Sequence, residues 1–175
     1  RAQTADVELW AAFSDEIRDP ALLARYRELL TEDERAREMR YRFASYHHRF
    51  LLTRALVRTT LSKYADVAPD AWRFVPDAFG RPQIQNTEAG VADLTFNISH
   101  THGLIILAVT HRKALAIDTE HLWSRTASAA VADRFFSPSE AEALREMPET
   151  VRRERFFDYW TLKESYIKAR GLGLS

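Results

Sequence analysis

The sequence predicts an α+β fold, because strand and helix patterns both recur along its 175 residues. Every second residue of 7–13 is apolar, which is the period of a half-buried strand. Residues 31–34 and 137–140 each have the form of a capping box, which opens a helix. With 46% hydrophobic residues the chain can bury a real core, as one domain or as two small lobes.

The other elements follow from local periodicity and from Gly and Pro punctuation. A short helix is predicted over 21–30, and a long basic helical stretch over 35–63. Strands are predicted over 72–75, 94–98, 104–109 and 114–120, the last two as a hairpin. Helices are predicted over 126–135, from 137 to near 148, and over 151–170, where Gly171 ends the last one.

Composition excludes several classes of protein. The 25 basic and 25 acidic residues balance, so the chain lacks the net basicity typical of nucleic-acid binders. The absence of cysteine excludes disulfides and thiolate sites and fits a reducing cytoplasm. The longest apolar run, 104–109, is far shorter than the ~20 residues that span a bilayer. We therefore expect a cytoplasmic protein that binds neither nucleic acid nor membrane.

Two carboxylates end the predicted strand 114–120. Asp118 and Glu120 alternate, so they lie on the same side of a strand. At about 4 Å their repulsion is ~4 kcal/mol at an effective dielectric near 20, so either they splay into water or a cation holds them. If Glu164 joins them, a divalent cation is the natural partner, and all-oxygen ligation suits Mg²⁺.

The last predicted helix has one stripe of mixed character. Phe157, Trp160, Glu164 and Lys168 share a face at helical spacing, and the two aromatic rings should turn that face inward. Glu164 and Lys168 are then either a weak surface ion pair or part of a cleft, and this stripe alone leaves both interpretations open.

Basic and histidine residues suggest further sites. The basic run 35–63 is either a solvated helix face, as expected for Arg35, Arg54 and Arg58, or a phosphate site with Arg49 as its best candidate. Ser99 and His100 are adjacent and so badly placed as nucleophile and base. Zinc on His100, His102 and Asp118 is conceivable but less favoured than magnesium. His100 is better explained as a phosphate partner or as a structural histidine.

Five motifs together resemble one known family. They occupy residues 79–82, 96–100, 116–120, 134–137 and 160–168, the last followed by the Gly-Leu-Gly of 171–173. In this order and over this length, the chain resembles the 4′-phosphopantetheinyl transferases of the larger, monomeric type.

The resemblance implies a pseudo-twofold, two-lobed 4′-phosphopantetheinyl transferase fold. Residues 1–103 would form the N-terminal lobe and residues 104–175 the C-terminal lobe, with coenzyme A in the cleft between them. The family continues well past residue 173, so we expect the second lobe to be incomplete at the C-terminus of this sequence.

The activity implied by the resemblance is transfer of 4′-phosphopantetheine from coenzyme A to a serine of an acyl, peptidyl or aryl carrier protein. The family reaction needs Mg²⁺, with Mn²⁺ as an alternative, and releases adenosine 3′,5′-bisphosphate. It serves fatty-acid, polyketide or nonribosomal peptide biosynthesis. Two alternatives remain: a metal-dependent phosphohydrolase, and a non-catalytic module that binds coenzyme A or a carrier.

The resemblance also assigns roles residue by residue. The metal ligands would be Asp118, Glu120 and Glu164. Catalysis would involve Glu164 as base together with Lys168 and His100. The coenzyme would be bound by Arg37, Arg49, Arg81, Ser99, His100, Lys163 and Lys168.

Overall fold

The computed structural model describes residues 7–111, 114–123 and 128–170. In chain order its elements are β1 (Glu8–Phe13), α1 (Pro20–Glu28), α2 (Glu32–Glu38), α3 (Ala44–Leu61), β2 (Phe74–Pro76), β3 (Pro82–Ile84), β4 (Thr95–Thr101), β5 (Leu104–Thr110), α4 (Ala129–Phe135), α5 (Pro138–Glu146) and α6 (Glu149–Ala169). The predicted α+β class is confirmed.

The main sheet has three antiparallel strands in the order β1-β5-β4. Strand β5 is central, as its nearly continuous apolar sequence predicts, and pairs Glu8 with Val109 on one side and Thr95 with Thr110 on the other. The turn between β4 and β5 contains Gly103 at φ +74°, where a side chain is strained and a Cβ would lie 3.1 Å from Asp15.

The largest core cluster lies between helix α3 and one face of this sheet. Helix α3 contributes Val57 and Leu61, both fully buried, and the sheet contributes Phe96 and Leu107. Trp72 is also fully buried, and its indole N–H donates to Ser62 Oγ at 2.9 Å. The opposite face of β4 carries Asn97 and Ser99, so the sheet separates the core from polar residues.

A buried arginine joins three parts of this half of the chain. Arg58 is 0% exposed, and its guanidinium donates to the carbonyls of Pro69 and Trp72 and to Glu34 Oε2, at 3.1, 3.0 and 2.7 Å. Glu34 also completes the predicted capping box by accepting from the Thr31 N–H. The interpretation of Arg58 as part of a solvated face is therefore wrong, because its charge is paired inside the protein.

Helices α4, α5 and α6 form a second cluster around aromatic rings. Phe136, Phe156 and Phe157 are buried in it, and Trp160 stacks on Phe156 at 6.0 Å between centroids. Helix α5 begins with the predicted capping box at Ser137. The expected end of α6 at Gly171, the turn at residues 112–113 and the start of the helix at 126 lie outside the described residues.

The predicted strand over 114–120 and its hairpin with β5 are wrong. None of residues 114–120 is in a strand, and β5 pairs with β4 and β1 instead. The reason is that side chains of β4 bond the backbone of this segment, which we call the acidic segment (residues 114–120). The lobe boundary at residues 103 and 104 stays a prediction; β4 and β5 form a hairpin across it.

No helix in the three described ranges is both long and apolar enough to cross a membrane.

Candidate functional site

A cavity of about 290 Å³ lies where strand β4, the acidic segment and helix α6 meet, and we call it the site cavity. All three of these elements carry predicted site residues, and the structure brings their side chains together. The lining residues are Ile98, Ser99, His100, Asp118, Thr119, Glu120, Glu164 and Lys168.

The acidic segment is held beside β4 by side chains rather than by a backbone ladder. Asn97 Oδ1 accepts the Ile117 N–H at 2.8 Å, and Ser99 Oγ accepts the Thr119 N–H at 3.0 Å. Arg81 Nη2 donates to the Leu115 carbonyl at 2.6 Å. These three bonds fall on alternate residues of the segment and fix its path along the strand.

Asp118 has an enclosed side chain with two hydrogen-bond partners. Its side chain is 6% exposed, and its Oδ1 accepts from Lys168 Nζ at 2.6 Å and from Ser99 Oγ at 3.2 Å. Its Oδ2 is buried and has no hydrogen-bond partner among the described residues. A buried, unpartnered carboxylate oxygen is costly, so this atom is a candidate ligand position.

The two glutamates of the site are held toward their protonated forms. Burial raises the pKa of Glu164, which is 7% exposed; Lys168 opposes this shift, and the neighbouring charges of Asp118 and Glu120 add to it. Burial and then the charge of Asp118 raise the pKa of Glu120, against a hydrogen bond from Trp160 Nε1 to its Oε1 at 3.2 Å. The site therefore concentrates negative charge that only one ammonium group, that of Lys168, partly balances among its lining residues.

The chemistry of these donors fits a hard divalent cation. Asp118, Glu120 and Glu164 supply only oxygen atoms, and Asp118 has a buried oxygen without a partner. In the part of the chain that is described, no three His, Cys, Asp or Glu side chains are already gathered closely enough to hold a metal ion. The Lys168 ammonium bonds Asp118 instead and supplies positive charge there. The predicted magnesium site, like the zinc alternative, stays a prediction.

His100 lies at the edge of the site cavity. Desolvation lowers its pKa, and the positive charges of Arg49 and Lys168 lower it further. These shifts favour a neutral ring, which can accept a proton or donate one hydrogen bond.

The predicted coenzyme-binding residues are only partly brought together. Arg49 stacks on the Tyr46 ring at 4.9 Å and is close enough to His100 to influence its charge. Arg37 is exposed and lines a different cavity of about 740 Å³. Lys163 Nζ pairs with Glu140 Oε2 at 2.8 Å, and Lys163 is not among the residues that line the site cavity.

Arg81 is not among the residues that line the site cavity. Its Nη2 also donates to the Phe96 carbonyl at 3.2 Å, and its Nη1 donates to the Lys168 carbonyl at 3.4 Å. Burial lowers the pKa of its guanidinium. The predicted contact of Arg81 with the coenzyme stays a prediction.

Sequence reasoning missed Asn97 and the indole of Trp160 as residues of the site's surroundings. Asparagine is disfavoured inside strands, so Asn97 in the middle of an apolar strand was the available signal. The bond from Trp160 to Glu120 joins residues 40 positions apart, and no local pattern predicts it.

Two family models match adjacent parts of this chain. Residues 19–112 match the N-terminal region of 4′-phosphopantetheinyl transferases, and residues 114–175 match the 4′-phosphopantetheinyl transferase superfamily. The chain belongs to the 4′-phosphopantetheinyl transferase family. The first match ends at residue 112 and the second begins at residue 114, which is also the first residue of the acidic segment.

Curated relatives agree with this family assignment. The chain is 36% identical over 146 residues to the 4′-phosphopantetheinyl transferase HetI of a Nostoc species, covering 83% of this chain and 61% of the relative. It is 30% identical over 151 residues to the 4′-phosphopantetheinyl transferase Sfp of Bacillus subtilis, covering 86% of this chain and 64% of the relative. It is 28% identical over 157 residues to a Synechocystis protein named as a putative 4′-phosphopantetheinyl transferase, covering 90% of this chain and 63% of the relative. The chain thus spans somewhat over three-fifths of the length of these relatives.

Proposed function

We propose that this protein transfers 4′-phosphopantetheine from coenzyme A to a serine of an acyl, peptidyl or aryl carrier protein, with a divalent cation held by Asp118, Glu120 and Glu164. One observation carries the proposal: three carboxylates and an ammonium, from the acidic segment and helix α6, line one cavity. Family membership supports the choice of coenzyme A as donor.

The reaction requires one phosphorus–oxygen bond to form and another to break. The serine oxygen bonds the phosphorus nearest the pantetheine, and the bond from that phosphorus to the bridging oxygen breaks. Adenosine 3′,5′-bisphosphate then leaves with the bridging oxygen. Such transfers depend mainly on positioning and charge stabilisation, which a cavity of fixed charges supplies.

The residues of the site cavity have the properties that these roles need. Glu164, a carboxylate that lines the cavity beside Asp118 and Glu120, accepts the serine proton. Lys168 Nζ stabilises negative charge on the departing phosphate. His100, held toward its neutral form, donates a hydrogen bond to a phosphate oxygen. A bound Mg²⁺ or Mn²⁺ supplies Lewis-acid charge neutralisation to the pyrophosphate.

The remaining parts of the proposal concern the coenzyme and the setting of the enzyme. Arg49 lies beside His100 and is suited to the coenzyme's phosphates, since guanidinium groups bind phosphate well. We further propose that Arg37, Arg81, Ser99 and Lys163 line the path of the coenzyme, and that the protein acts as a cytoplasmic monomer in carrier-dependent biosynthesis.

The deciding experiment mixes the protein with coenzyme A, Mg²⁺ and unmodified carrier proteins and follows carrier mass. The carrier should gain one phosphopantetheine group, and a chelator should stop the gain. No gain with acyl, peptidyl and aryl carriers would refute the proposal. Coenzyme A consumed without a carrier would indicate a phosphohydrolase, and binding without turnover would indicate a non-catalytic module.

Two variants test the assigned acids. Asp118→Ala and Glu164→Ala should lower transfer by about 100-fold or more, since loss of one charged transition-state partner costs roughly 2.7–4 kcal/mol. Glu154→Ala removes an exposed glutamate from the same helix as Glu164 and should leave transfer unchanged. Full activity of Asp118→Ala or Glu164→Ala would contradict the metal assignment.

A further inference from the structure

The acidic segment runs beside strand β4 with its backbone bonded at alternate residues to side chains. Leu115 is bonded by Arg81, Ile117 by Asn97 and Thr119 by Ser99. Asn97 and Ser99 are each 7% exposed, and all three bonds are part-buried. Losing one removes the partner of a part-buried N–H or carbonyl, and such a loss costs up to about 1–3 kcal/mol.

The spacing of these bonds fixes the register of the segment. Asn97 and Ser99 are two residues apart and project from the same face of β4, and their partners Ile117 and Thr119 are also two residues apart. A shift of the segment by one residue would break both bonds at once and would turn Asp118 away from the site cavity.

Ser99 links this register directly to a carboxylate. Its hydroxyl accepts from the Thr119 N–H and donates to Asp118 Oδ1, so both of its hydrogen-bonding functions are used within the segment. Arg81 adds the third point and also reaches the carbonyls of Phe96 and Lys168. One guanidinium therefore connects β4, the acidic segment and the end of α6.

We propose that Asn97, Ser99 and Arg81 form a side-chain clamp that positions Asp118 and Glu120 for cation binding, with Asn97 as its central positioning residue. The positioning of the carboxylates for a cation rests on the proposed function, whereas the holding of the segment does not. Asn97 has no place among the residues that line the site cavity and acts only through Ile117.

The test measures two quantities in the full chain of each variant. Residue-resolved amide hydrogen exchange reports whether the segment is held, and calorimetric titration with Mn²⁺ alone reports whether the carboxylates are positioned. Asn97→Ala removes the acceptor of the Ile117 N–H. Asn86→Ala is the matched control, since Asn86 Oδ1 accepts the Arg73 N–H at 2.6 Å in another part of the molecule.

Asn97→Ala should speed exchange of the Ile117 amide at least tenfold while leaving the Ala108 amide of β5 unchanged, and should weaken Mn²⁺ binding at least tenfold. Asn86→Ala removes an exposed side-chain acceptor elsewhere and should change Mn²⁺ affinity less than twofold. Ser99→Ala should speed exchange of the Thr119 amide, and Ser99→Thr, which keeps the hydroxyl, should restore it.

The outcomes separate the clamp from the proposed function. Wild-type protein that binds Mn²⁺ and modifies carriers, with Asn97→Ala binding Mn²⁺ equally well, would overturn the positioning role and leave the function standing. Wild-type protein that neither binds Mn²⁺ nor modifies carriers would refute the function. In that case the hydrogen-exchange rate of the Ile117 amide tests the clamp by itself. Faster exchange in Asn97→Ala supports the clamp, and unchanged exchange overturns it.

Discussion

At the scale of a single residue, Lys168 shows how the last helix contacts the acidic segment. Glu164 lies one helical turn before Lys168, which is the spacing of an ordinary surface ion pair. Its ammonium instead lies 2.6 Å from Asp118, which comes from the acidic segment. Glu164 is left buried, with a raised pKa and two acidic neighbours. Both Glu164 and Lys168 line the site cavity, as the cleft interpretation predicts, and their assignment to a functional site stays a prediction.

Glu164 should destabilise the metal-free fold at neutral pH. Its folded-state pKa lies above the ordinary value of 4.5, so the folded protein holds the proton more tightly than the unfolded chain. The penalty is absent below pH 4.5 and grows as pH rises through the raised pKa. Glu164→Gln should therefore raise the melting temperature at pH 7.5 when a chelator is present. Each 1 kcal/mol gained in the free energy of unfolding corresponds to a rise of ~2–4 °C.

Thermal unfolding of Glu164→Gln at pH 7.5 and at pH 4 gives the check. The gain in melting temperature should vanish at pH 4, because the protonated Glu164 of the wild type is then uncharged, like the glutamine of the variant. Glu154→Gln, an exposed glutamate on the same helix, should shift the melting temperature by less than 1 °C. A Glu164→Gln variant less stable than wild type at pH 7.5 would contradict the assigned shift.

At the scale of elements, Arg58 holds α2, α3 and the loop before β2 together. Arg58→Ala removes the guanidinium from the carbonyls of Pro69 and Trp72 and from Glu34, which keeps the Thr31 N–H and the nearby Arg54 as partners. Breaking a buried ion pair by removing one partner costs about 3–5 kcal/mol. Urea unfolding should show this loss, and Arg25→Ala on the exposed side of α1 should cost less than about 0.5 kcal/mol. A loss below about 1 kcal/mol for Arg58→Ala would show that the pair is not held in solution.

The sequence predicted elements best where the deciding signals are local. The capping boxes at Thr31 and Ser137 open helices in the structure, since a cap involves residues only three apart. The acidic segment was predicted as a strand because its composition fits one. It joins neither sheet in the described part of the chain, because Asn97 and Ser99 bond the N–H groups of Ile117 and Thr119, and these residues lie 20 positions away.

The sequence indicated which residues belong to the candidate site more readily than it indicated which of them are in contact. Asp118, Glu120, Glu164, Lys168 and His100 were all selected from sequence, and all line one cavity. The pairing of Lys168 with Asp118 joins residues 50 apart, so spacing along a helix cannot reveal it. Arg58 was misassigned for the same reason. Its acceptors on Glu34, Pro69 and Trp72 lie far from it in sequence, so the basic run by itself did not indicate a buried position.

At the scale of the whole molecule, ligands of the site cavity should stabilise both family-matched regions together. Ser99 and His100 belong to residues 19–112, whereas Asp118 and Glu164 belong to residues 114–175. Mg²⁺ with coenzyme A at 100 times the dissociation constant should add about 2.7 kcal/mol. Calorimetry of the complex should show a single unfolding transition of both regions, moved to higher temperature. Two separate transitions, of which the ligand moves only one, would contradict this coupling.

The long separation between partners in the site also orders the events of folding. The hairpin β4–β5 closes over a turn of two residues, whereas Lys168 meets Asp118 across 50 residues and Arg81 across 87. Longer loops cost more entropy to close, so the β4–β5 hairpin should form first, before α6 docks and before β1 pairs with β5 across a still longer loop. The mutually repelling acids then converge only after the hairpin has formed. A chain caught before α6 docks would contain the hairpin without the assembled site cavity.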